Sequence, residues 1–163
     1  MQADESDIVV VLHDIRSTHN VGSLFRTADG AGVSHVYLSG YTPAPIDRFG
    51  RIVKDIAKTA LGAELSVKWS THKTFSRLAK KLSQDGYMLV ALENGVPAED
   101  YRKVKYPQKV ALIVGNEVTG LPKLQLKYAK LVVEIPMYGV KESLNVGVAF
   151  GVALFRIREA LTH

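Results

Sequence analysis

Two polar side chains, Ser143 and Asn145, stand where a strand is predicted to pass into a helix near the end of the chain. The β-branched run at 131–135 predicts the strand, and Pro136 ends it because proline cannot donate a ladder hydrogen bond. Either Ser143 or Asn145 can cap the helix that follows. In open α/β sheets, ligands bind outside the carboxyl ends of strands, so this junction is a candidate binding site.

The helix after this junction has an apolar face whose spacing is typical of burial. That face comprises Val146, Ala149, Phe150, Ala153, Leu154 and Ile157. Gly147 and Gly151 lie four residues apart, and each costs roughly 1 kcal/mol of helix propensity relative to alanine. They indicate close approach by another helix, a second subunit or a ligand. A tightly packed buried helix explains them equally well.

A second group of polar residues lies near the N-terminus, in a helix predicted at 20–30. Its core face is Val21, Leu24, Phe25 and Ala28. Asn20 occupies the predicted N-cap position. Gly22 and Arg26 lie four residues apart and are predicted to share a face away from the core, where a notch beside a guanidinium would suit a phosphate or a nucleotide. The alternative is a capped helix with an exposed arginine.

Glu117 lies in a loop that Gly115 and Gly120 bracket, directly after an apolar strand at 110–114. The glycines let backbone amides approach a ligand closely. A phosphate loop would continue Gly-Lys-Ser/Thr, and a dinucleotide fold would show G-x-G-x-x-G after its first strand, and both patterns are absent. A solvated loop acid is the other interpretation of Glu117.

Between these two segments, a strand at 87–92 ends in the sequence Leu92-Glu93-Asn94. The strand end could offer backbone carbonyls and an acid to the adenosine or sulfonium end of a cofactor. Turn formation at Asn94-Gly95 explains the same residues without a ligand.

Composition limits the class of protein. The 163 residues are 47% hydrophobic and 23% charged, which is ordinary for one globular domain. The absence of cysteine excludes disulfides and thiolate chemistry, the five histidines have no metal-ligand spacing, and no apolar run is long enough to span a membrane. These features agree with a cytoplasmic location. The net charge of +5 favours an anionic partner.

Strands and helices are predicted to alternate along the chain. Strands are expected at 8–12, 35–38, 66–69, 87–92, 110–114 and 131–135. Helices are expected at 20–30, 52–61, 74–82, 123–129 and from about 145 to 158. The alternation predicts an α/β fold, with a mostly parallel sheet that helices cover on both faces.

Three of these segments resemble the ordered motifs of the SpoU/TrmH family of SPOUT RNA 2'-O-ribose methyltransferases. Residues 20–28 match N-x-G-x-x-x-R-[ST]-A, and residues 115–121 match G-x-E-x-x-G-L. The third motif, I-P-M followed by S-L-N-V-S-V-A, begins at Ile135 and departs at Gly147, where the family commonly has a small hydroxyl residue. The resemblance spans residues 8–160.

The resemblance implies a single SPOUT catalytic domain over 1–163, with a C-terminal trefoil knot and without a separate RNA-binding extension. It implies a homodimer that transfers methyl from S-adenosyl-L-methionine to a ribose 2'-hydroxyl of tRNA or rRNA, without a metal or a membrane. An inactive RNA-binding module with the same fold is the alternative, whereas a Rossmann-like oxidoreductase lacks its fingerprint.

The resemblance also implies which residues form the site. The catalytic residues are expected to be Asn20, Arg26, Glu117, Ser143 and Asn145. The cofactor-binding residues are expected to be Leu92, Glu93, Asn94, Gly115, Asn116, Glu117, Ile135, Pro136, Met137, Ser143 and Leu144.

Overall fold

A computed structural model describes residues 5–163, which form one seven-stranded sheet beside six helices. The strands are β1 Asp7–His13, β2 His35–Ser39, β3 Trp69–His72, β4 Met88–Leu92, β5 Glu99–Asp100, β6 Lys109–Val114 and β7 Leu131–Glu134. The helices are α1 Thr18–Gly30, α2 Lys54–Ala60, α3 Ala63–Ser66, α4 Phe75–Gln84, α5 Lys123–Leu126 and α6 Val146–Thr162.

The strands are parallel throughout and lie in the order β3-β2-β1-β6-β4-β7-β5. The central pair is β1 and β6, in register from Asp7 opposite Lys109 to Leu12 opposite Val114. Residues 8–12 and 110–114 are at most 1% exposed, as expected of strands covered on both faces. The carboxyl ends of β6, β4 and β7 therefore lie side by side at one edge of the sheet.

Helices cover both faces, as the alternation predicts. Helices α1, α2, α3 and α6 pack on one face, around the fully buried rings of Phe25 and Phe150. Helix α4 packs on the other through Phe75, Leu78 and Leu82. Full burial of one such side chain is worth roughly 1.5–3 kcal/mol. The α/β class with a parallel sheet is confirmed, and the trefoil knot stays a prediction.

Helix α6 holds the end of α1 through Arg158. Its guanidinium donates Nε to the Ala31 carbonyl at 2.7 Å and Nη2 to the Gly32 carbonyl at 2.9 Å. A cation at a helix C-terminus satisfies carbonyls that have no partner within the helix and opposes the negative end of the dipole. This contact fixes the two helices that carry the N-terminal and C-terminal motifs relative to each other.

Two strands were predicted wrongly, and two helices end elsewhere than expected, α5 at Leu126 rather than at 129 and α6 at Thr162 rather than near 158. The strand expected at 66–69 is Trp69–His72, because a turn of helix, α3, continues to Ser66 after Leu61 and Gly62 adopt positive φ of 52° and 93°. The short strand β5 was missed, because Glu99 and Asp100 join the sheet only through pairing with β7. Within residues 5–163, the helices are too short or too polar to cross a membrane.

Candidate functional site

A cavity of about 860 Å³ opens at the carboxyl ends of β4, β6 and β7. Its walls are the loops that follow these strands, together with the first turn of α6. The lining residues are Leu92–Gly95, Val114–Gly120, Glu134–Met137, Gly139–Leu144, Val146 and Ala149. All predicted cofactor-binding residues lie in this lining, and its volume falls in the range of small-molecule sites.

Asn116 organises the loop after β6. Its Oδ1 accepts hydrogen bonds from the amides of Val118 and Thr119, both at 2.9 Å. Its Nδ2 donates to the Asp14 carbonyl and to the Tyr41 hydroxyl, both at 3.0 Å. The side chain therefore holds three loops in place, and it lines the cavity from a fixed position.

The two glycines that bracket this loop are required by the space around them. A Cβ at Gly115 would lie 2.6 Å from the backbone of Gly120. Gly120 has φ of +66°, and a Cβ there would lie 2.2 Å from a carboxylate oxygen of Glu93. Gly115 thus permits a tight crossing of backbone against backbone, and Gly120 permits a left-handed residue beside the Glu93 carboxylate.

Glu93 and Asn94 connect the cavity loops to one another. The Glu93 carboxylate accepts from the Leu121 amide at 2.7 Å, and Asn94 Nδ2 donates to the Ile135 carbonyl at 3.0 Å. Asn94 Nδ2 also lies 3.4 Å from the Glu142 carbonyl. Both side chains line the cavity, and their hydrogen bonds join the three strand-end loops into one wall.

Glu117 links the central motif, residues 115–121, to the N-terminal motif, residues 20–28. Its carboxylate accepts from the amides of Arg16 and Ser17 at 2.8 Å each and from Asn20 Nδ2 at 3.2 Å. Burial by itself would raise the pKa of Glu117, but the hydrogen bonds from Arg16, Ser17 and Asn20 lower this pKa below its ordinary value. Glu117 is therefore a bound carboxylate, and the interpretation as a solvated loop acid is wrong.

The capping role predicted for Asn20 is also wrong. Helix α1 begins at Thr18, and Ser17 caps it by accepting from the Asn20 amide at 3.1 Å. This leaves the Asn20 side chain to reach Glu117. The Asn20 side chain thus belongs to the site edge although it does not line the cavity itself.

At the third motif, Asn145 caps α6 by accepting from the Gly147 amide at 2.9 Å. Ser143 and Leu144 line the cavity, and all three residues are exposed. A Cβ at Gly147 would lie 3.2 Å from Asn145 Oδ1, so glycine leaves this cap uncrowded. The departure from the family motif therefore leaves in place the hydrogen bond from the backbone amide of residue 147 to Asn145.

Gly22 and Arg26 do not form the predicted notch. Gly22 is buried against α2, where a Cβ would lie 1.8 Å from Thr59 Oγ1 and 2.4 Å from the Ile56 carbonyl oxygen. The missing side chain admits a second helix, since α1 and α2 cross at this point. Arg26 is exposed and does not line the cavity within this one chain.

Val146, Ala149 and Asp14 are among the residues of the site edge that were not found from the sequence. Val146 and Ala149 of α6 line the cavity although their spacing indicated only a core face. Asp14 adopts φ of 53°, and its Oδ1 accepts from the Tyr41 amide at 3.0 Å. Its position directly after β1, before a polar loop, is the signal that could have identified it.

The fold and the cavity at its strand ends define a class of protein, and comparison with known proteins identifies that class. The model of the SpoU rRNA Methylase family matches residues 7–155. A 23S rRNA (guanosine-2'-O-)-methyltransferase, RlmB, of Neisseria meningitidis is 30% identical over 154 residues, covering 94% of this chain and 59% of that protein. A tRNA (guanosine(18)-2'-O)-methyltransferase of Escherichia coli K12 is 30% identical over 151 residues, covering 93% and 62% respectively.

Among solved structures, the AdoMet-bound rRNA methyltransferase from Sinorhizobium meliloti superimposes with a TM-score of 0.86 at 29% identity. The match covers 96% of this chain and 57% of that one. The fold is accordingly of the SPOUT type, as expected. The chain belongs to the SpoU rRNA methylase family, and it spans about three-fifths of the length of these curated relatives.

Proposed function

We propose that this chain transfers a methyl group from S-adenosyl-L-methionine to the 2'-hydroxyl of a ribose in tRNA or rRNA. The observation that carries the proposal is the hydrogen-bonded connection of all three motifs around one cavity. Glu117 joins the first motif to the second through Asn20, and Asn94 joins the cavity loops to the third through Ile135. The relatives named as guanosine 2'-O-methyltransferases of rRNA and tRNA support the same reaction.

The cavity has the size and charge that S-adenosyl-L-methionine requires. Four of its lining residues are acids, Glu93, Glu117, Glu134 and Glu142, against one base, Lys141. This balance favours a ligand with a cationic sulfur and opposes a polyphosphate. Leu92, Val114, Ile135 and Ala149 line the cavity and would supply an apolar surface for the adenine ring. When bound, the cofactor supplies a methyl group on positively charged sulfur.

The chain's own residues would position the ribose and its proton. Arg26 would orient a phosphate and stabilise charge that develops on the 2'-oxygen, because a guanidinium keeps its proton in proteins and cannot act as a base. Asn20 and Glu117 would fix the arginine and the ribose, and Ser143 and Asn145 would form the wall between cofactor and substrate. Positioning of this kind can supply roughly 7–11 kcal/mol.

A homodimer would complete this site. Within one chain Arg26 does not line the cavity, so a second copy could bring an arginine to each cavity. Helix α6 exposes an apolar strip formed by Val148 (53% exposed), Val152 (38%) and Phe155 (49%). A twofold partner would cover such a strip with a self-complementary surface. A single catalytic domain and a cytoplasmic location remain part of the proposal.

The alternative of an inactive RNA-binding module has little support from the site. Its one motivation is the departure from the family motif at Gly147, and the backbone amide of that residue still donates the hydrogen bond by which Asn145 caps α6. The polar residues of the other motifs are retained.

Isothermal calorimetry with S-adenosyl-L-methionine tests the proposal, followed by transfer of labelled methyl to bulk tRNA and to rRNA. We expect binding to a single site and label on ribose 2'-oxygens, mapped by mass spectrometry of nucleosides. Gly120→Val is the matched negative variant, because its side chain would collide with Glu93. A folded wild-type protein that binds no cofactor would refute the proposal. A wild-type protein that binds cofactor and RNA without transferring methyl would support the inactive module.

A further inference from the structure

The segment between β2 and α2 carries an aromatic ring at an exposed turn. Phe49 is 65% exposed, and it stands between Ile46 at 38% and Ile52 at 67%. Two guanidinium groups flank the ring, with Arg48 Cζ 4.7 Å and Arg51 Cζ 4.9 Å from its centroid. We refer to residues 46–52 as the Phe49 turn.

The Phe49 turn is held in shape by Asp47. Its Oδ1 accepts from the amides of Phe49 at 2.8 Å and Arg51 at 2.9 Å, while its Oδ2 accepts from Arg51 Nε at 2.9 Å. Ile46 and Ile52 form an antiparallel bridge that closes the base of the turn. The ring is therefore presented by an ordered backbone, which reduces the entropy lost when a partner binds.

The charge around the ring indicates an anionic partner. Arg48, Arg51, Lys54 and Lys58 are all exposed along this turn and the adjoining helix α2. Arg51 is already paired with Asp47. By contrast, among residues 5–163 no salt bridge involves Arg48. An exposed aromatic ring within a cluster of arginine and lysine is the combination on which unpaired nucleobases stack while their phosphates are bound.

The Phe49 turn is fixed to the helix that carries Arg26. Helix α2 follows the turn and packs on α1 where Gly22 lies under the Ile56 carbonyl, and Thr59 Oγ1 donates to the His19 carbonyl at 2.9 Å. At the start of the same segment, the Tyr41 hydroxyl accepts from Asn116, a cavity residue. A ligand on Phe49 would therefore have a defined position relative to the site, although Phe49 does not line the cavity.

We propose that the Phe49 turn binds an unpaired nucleotide of the RNA substrate other than the one that is methylated. The base stacks on the Phe49 ring in place of the Arg48 guanidinium, which then binds a neighbouring phosphate, while Arg51 stays on the ring through its pairing with Asp47. This inference rests on the proposed function, because it assumes an RNA substrate.

The first test measures affinity for bulk tRNA and for a single-stranded RNA oligonucleotide of mixed sequence. Phe49→Ala should weaken binding of the oligonucleotide roughly tenfold or more, whereas Phe49→Tyr should retain it. Arg48→Ala should weaken binding and make it less dependent on salt, by the loss of about one phosphate contact. Leu65→Ala is the matched control, because Leu65 is 85% exposed on α3 and lies outside the turn.

The second test reports stacking directly. The chain has one tryptophan, Trp69, so Phe49→Trp in a Trp69→Phe background places the only indole at the turn. RNA should quench its fluorescence, and an oligonucleotide with the same backbone but without bases should quench it far less. At saturating RNA, Phe49→Ala should keep the rate of methyl transfer and raise KM for RNA.

The outcomes separate this inference from the proposed function. Wild-type protein that binds no RNA refutes both, and wild-type protein that methylates RNA with equal KM in Phe49→Ala refutes the Phe49 turn alone. If Phe49→Ala instead abolishes self-association in light scattering while RNA affinity stays unchanged, the exposed ring is a contact between protein copies and the proposal is wrong.

Discussion

Asn20 donates a hydrogen bond from Nδ2 to the Glu117 carboxylate at 3.2 Å, although the two residues are 97 positions apart in the sequence. The same carboxylate accepts from the amides of Arg16 and Ser17, so the loop between β1 and α1 closes around it. The acid of the central motif thus determines where the N-terminal motif lies.

Replacing Glu117 by glutamine should destabilise the fold. The side-chain amide would direct an N–H group at a backbone or Asn20 donor, and a lost charged acceptor in a partly buried site costs about 1–3 kcal/mol. Urea unfolding measures this change. Glu142→Gln is the control, since Glu142 also lines the cavity but is exposed, and it should change the free energy of unfolding by less than about 0.5 kcal/mol.

The pH dependence of this difference has a definite sign. Because hydrogen bonds lower the pKa of Glu117 below 4.5, its stabilising effect is complete above about that pH and is lost as pH falls through the folded-state pKa. The gap in stability between wild type and Glu117→Gln should therefore shrink in acid. A gap that is constant down to the acid unfolding transition would contradict the role of the ionised carboxylate.

Arg26→Ala should abolish methyl transfer while the affinity for S-adenosyl-L-methionine changes little, because Arg26 is exposed and lies outside the cavity lining. Arg26→Lys should fail as well, since an ammonium group cannot reproduce the planar fork. Neither variant should shift the free energy of unfolding by more than about 0.5 kcal/mol. Arg77→Ala, an exposed arginine on α4 across the sheet, is the control. An active lysine variant would show that charge alone is sufficient.

Local pattern was enough to predict the core face of α1 and the cavity loops. The four residues assigned to the core face of α1 are all buried, and the strand-end residues Leu92, Gly115 and Ile135 all reach the cavity, because apolar period and strand-end position are set over a few residues. The role of Gly22 could not be predicted in this way. It depends on α2, which begins 32 positions later and packs against it only in the folded chain.

The hydrogen-bond partners of the site residues could likewise not be predicted from the sequence. Asn116 contacts Asp14 and Tyr41, and Asn94 contacts Ile135, through side chains whose orientation depends on strand order. That order places β6 between β1 and β4, contrary to the order along the chain. The motif residues could be identified as a set, but which of them bind one another could not.

Stability should fall as pH drops through the range in which histidine titrates. Burial lowers the pKa of His13, His35 and His72 below 6.5, and His72 and nearby lysines lower that of His35 further. The unfolded chain therefore binds more protons than the folded one in this window. The contribution of these histidines to stability is complete above about pH 6.5 and is lost as the pH falls through their folded-state pKa values.

Urea unfolding at about pH 7.5 and at about pH 5.5 measures this loss. His13→Gln should reduce the difference between the two pH values, because His13 is 5% exposed and hydrogen-bonded to Ser39 at 2.8 Å. His19→Gln is the control, since His19 is exposed. If wild type and His13→Gln lose the same free energy of unfolding between the two pH values, His13 does not contribute to the acid sensitivity.

Val148→Glu should dissociate the proposed homodimer and lower methyl transfer with it. Val148 is 53% exposed on α6 beside Val152 and Phe155, and its replacement would place a charge in the contact between copies. Gly151 supports an interface here, because a Cβ on it would meet only Thr27 Cγ2, at 3.5 Å. Packing within the chain therefore leaves room for a side chain at Gly151, and the absence of one would let a second backbone approach.

Light scattering and methyl-transfer activity measure the effect of Val148→Glu, with Leu65→Glu as the control for adding a charge at an exposed apolar site. A monomeric wild type, or an active dimeric Val148→Glu variant, would show that α6 is not the interface.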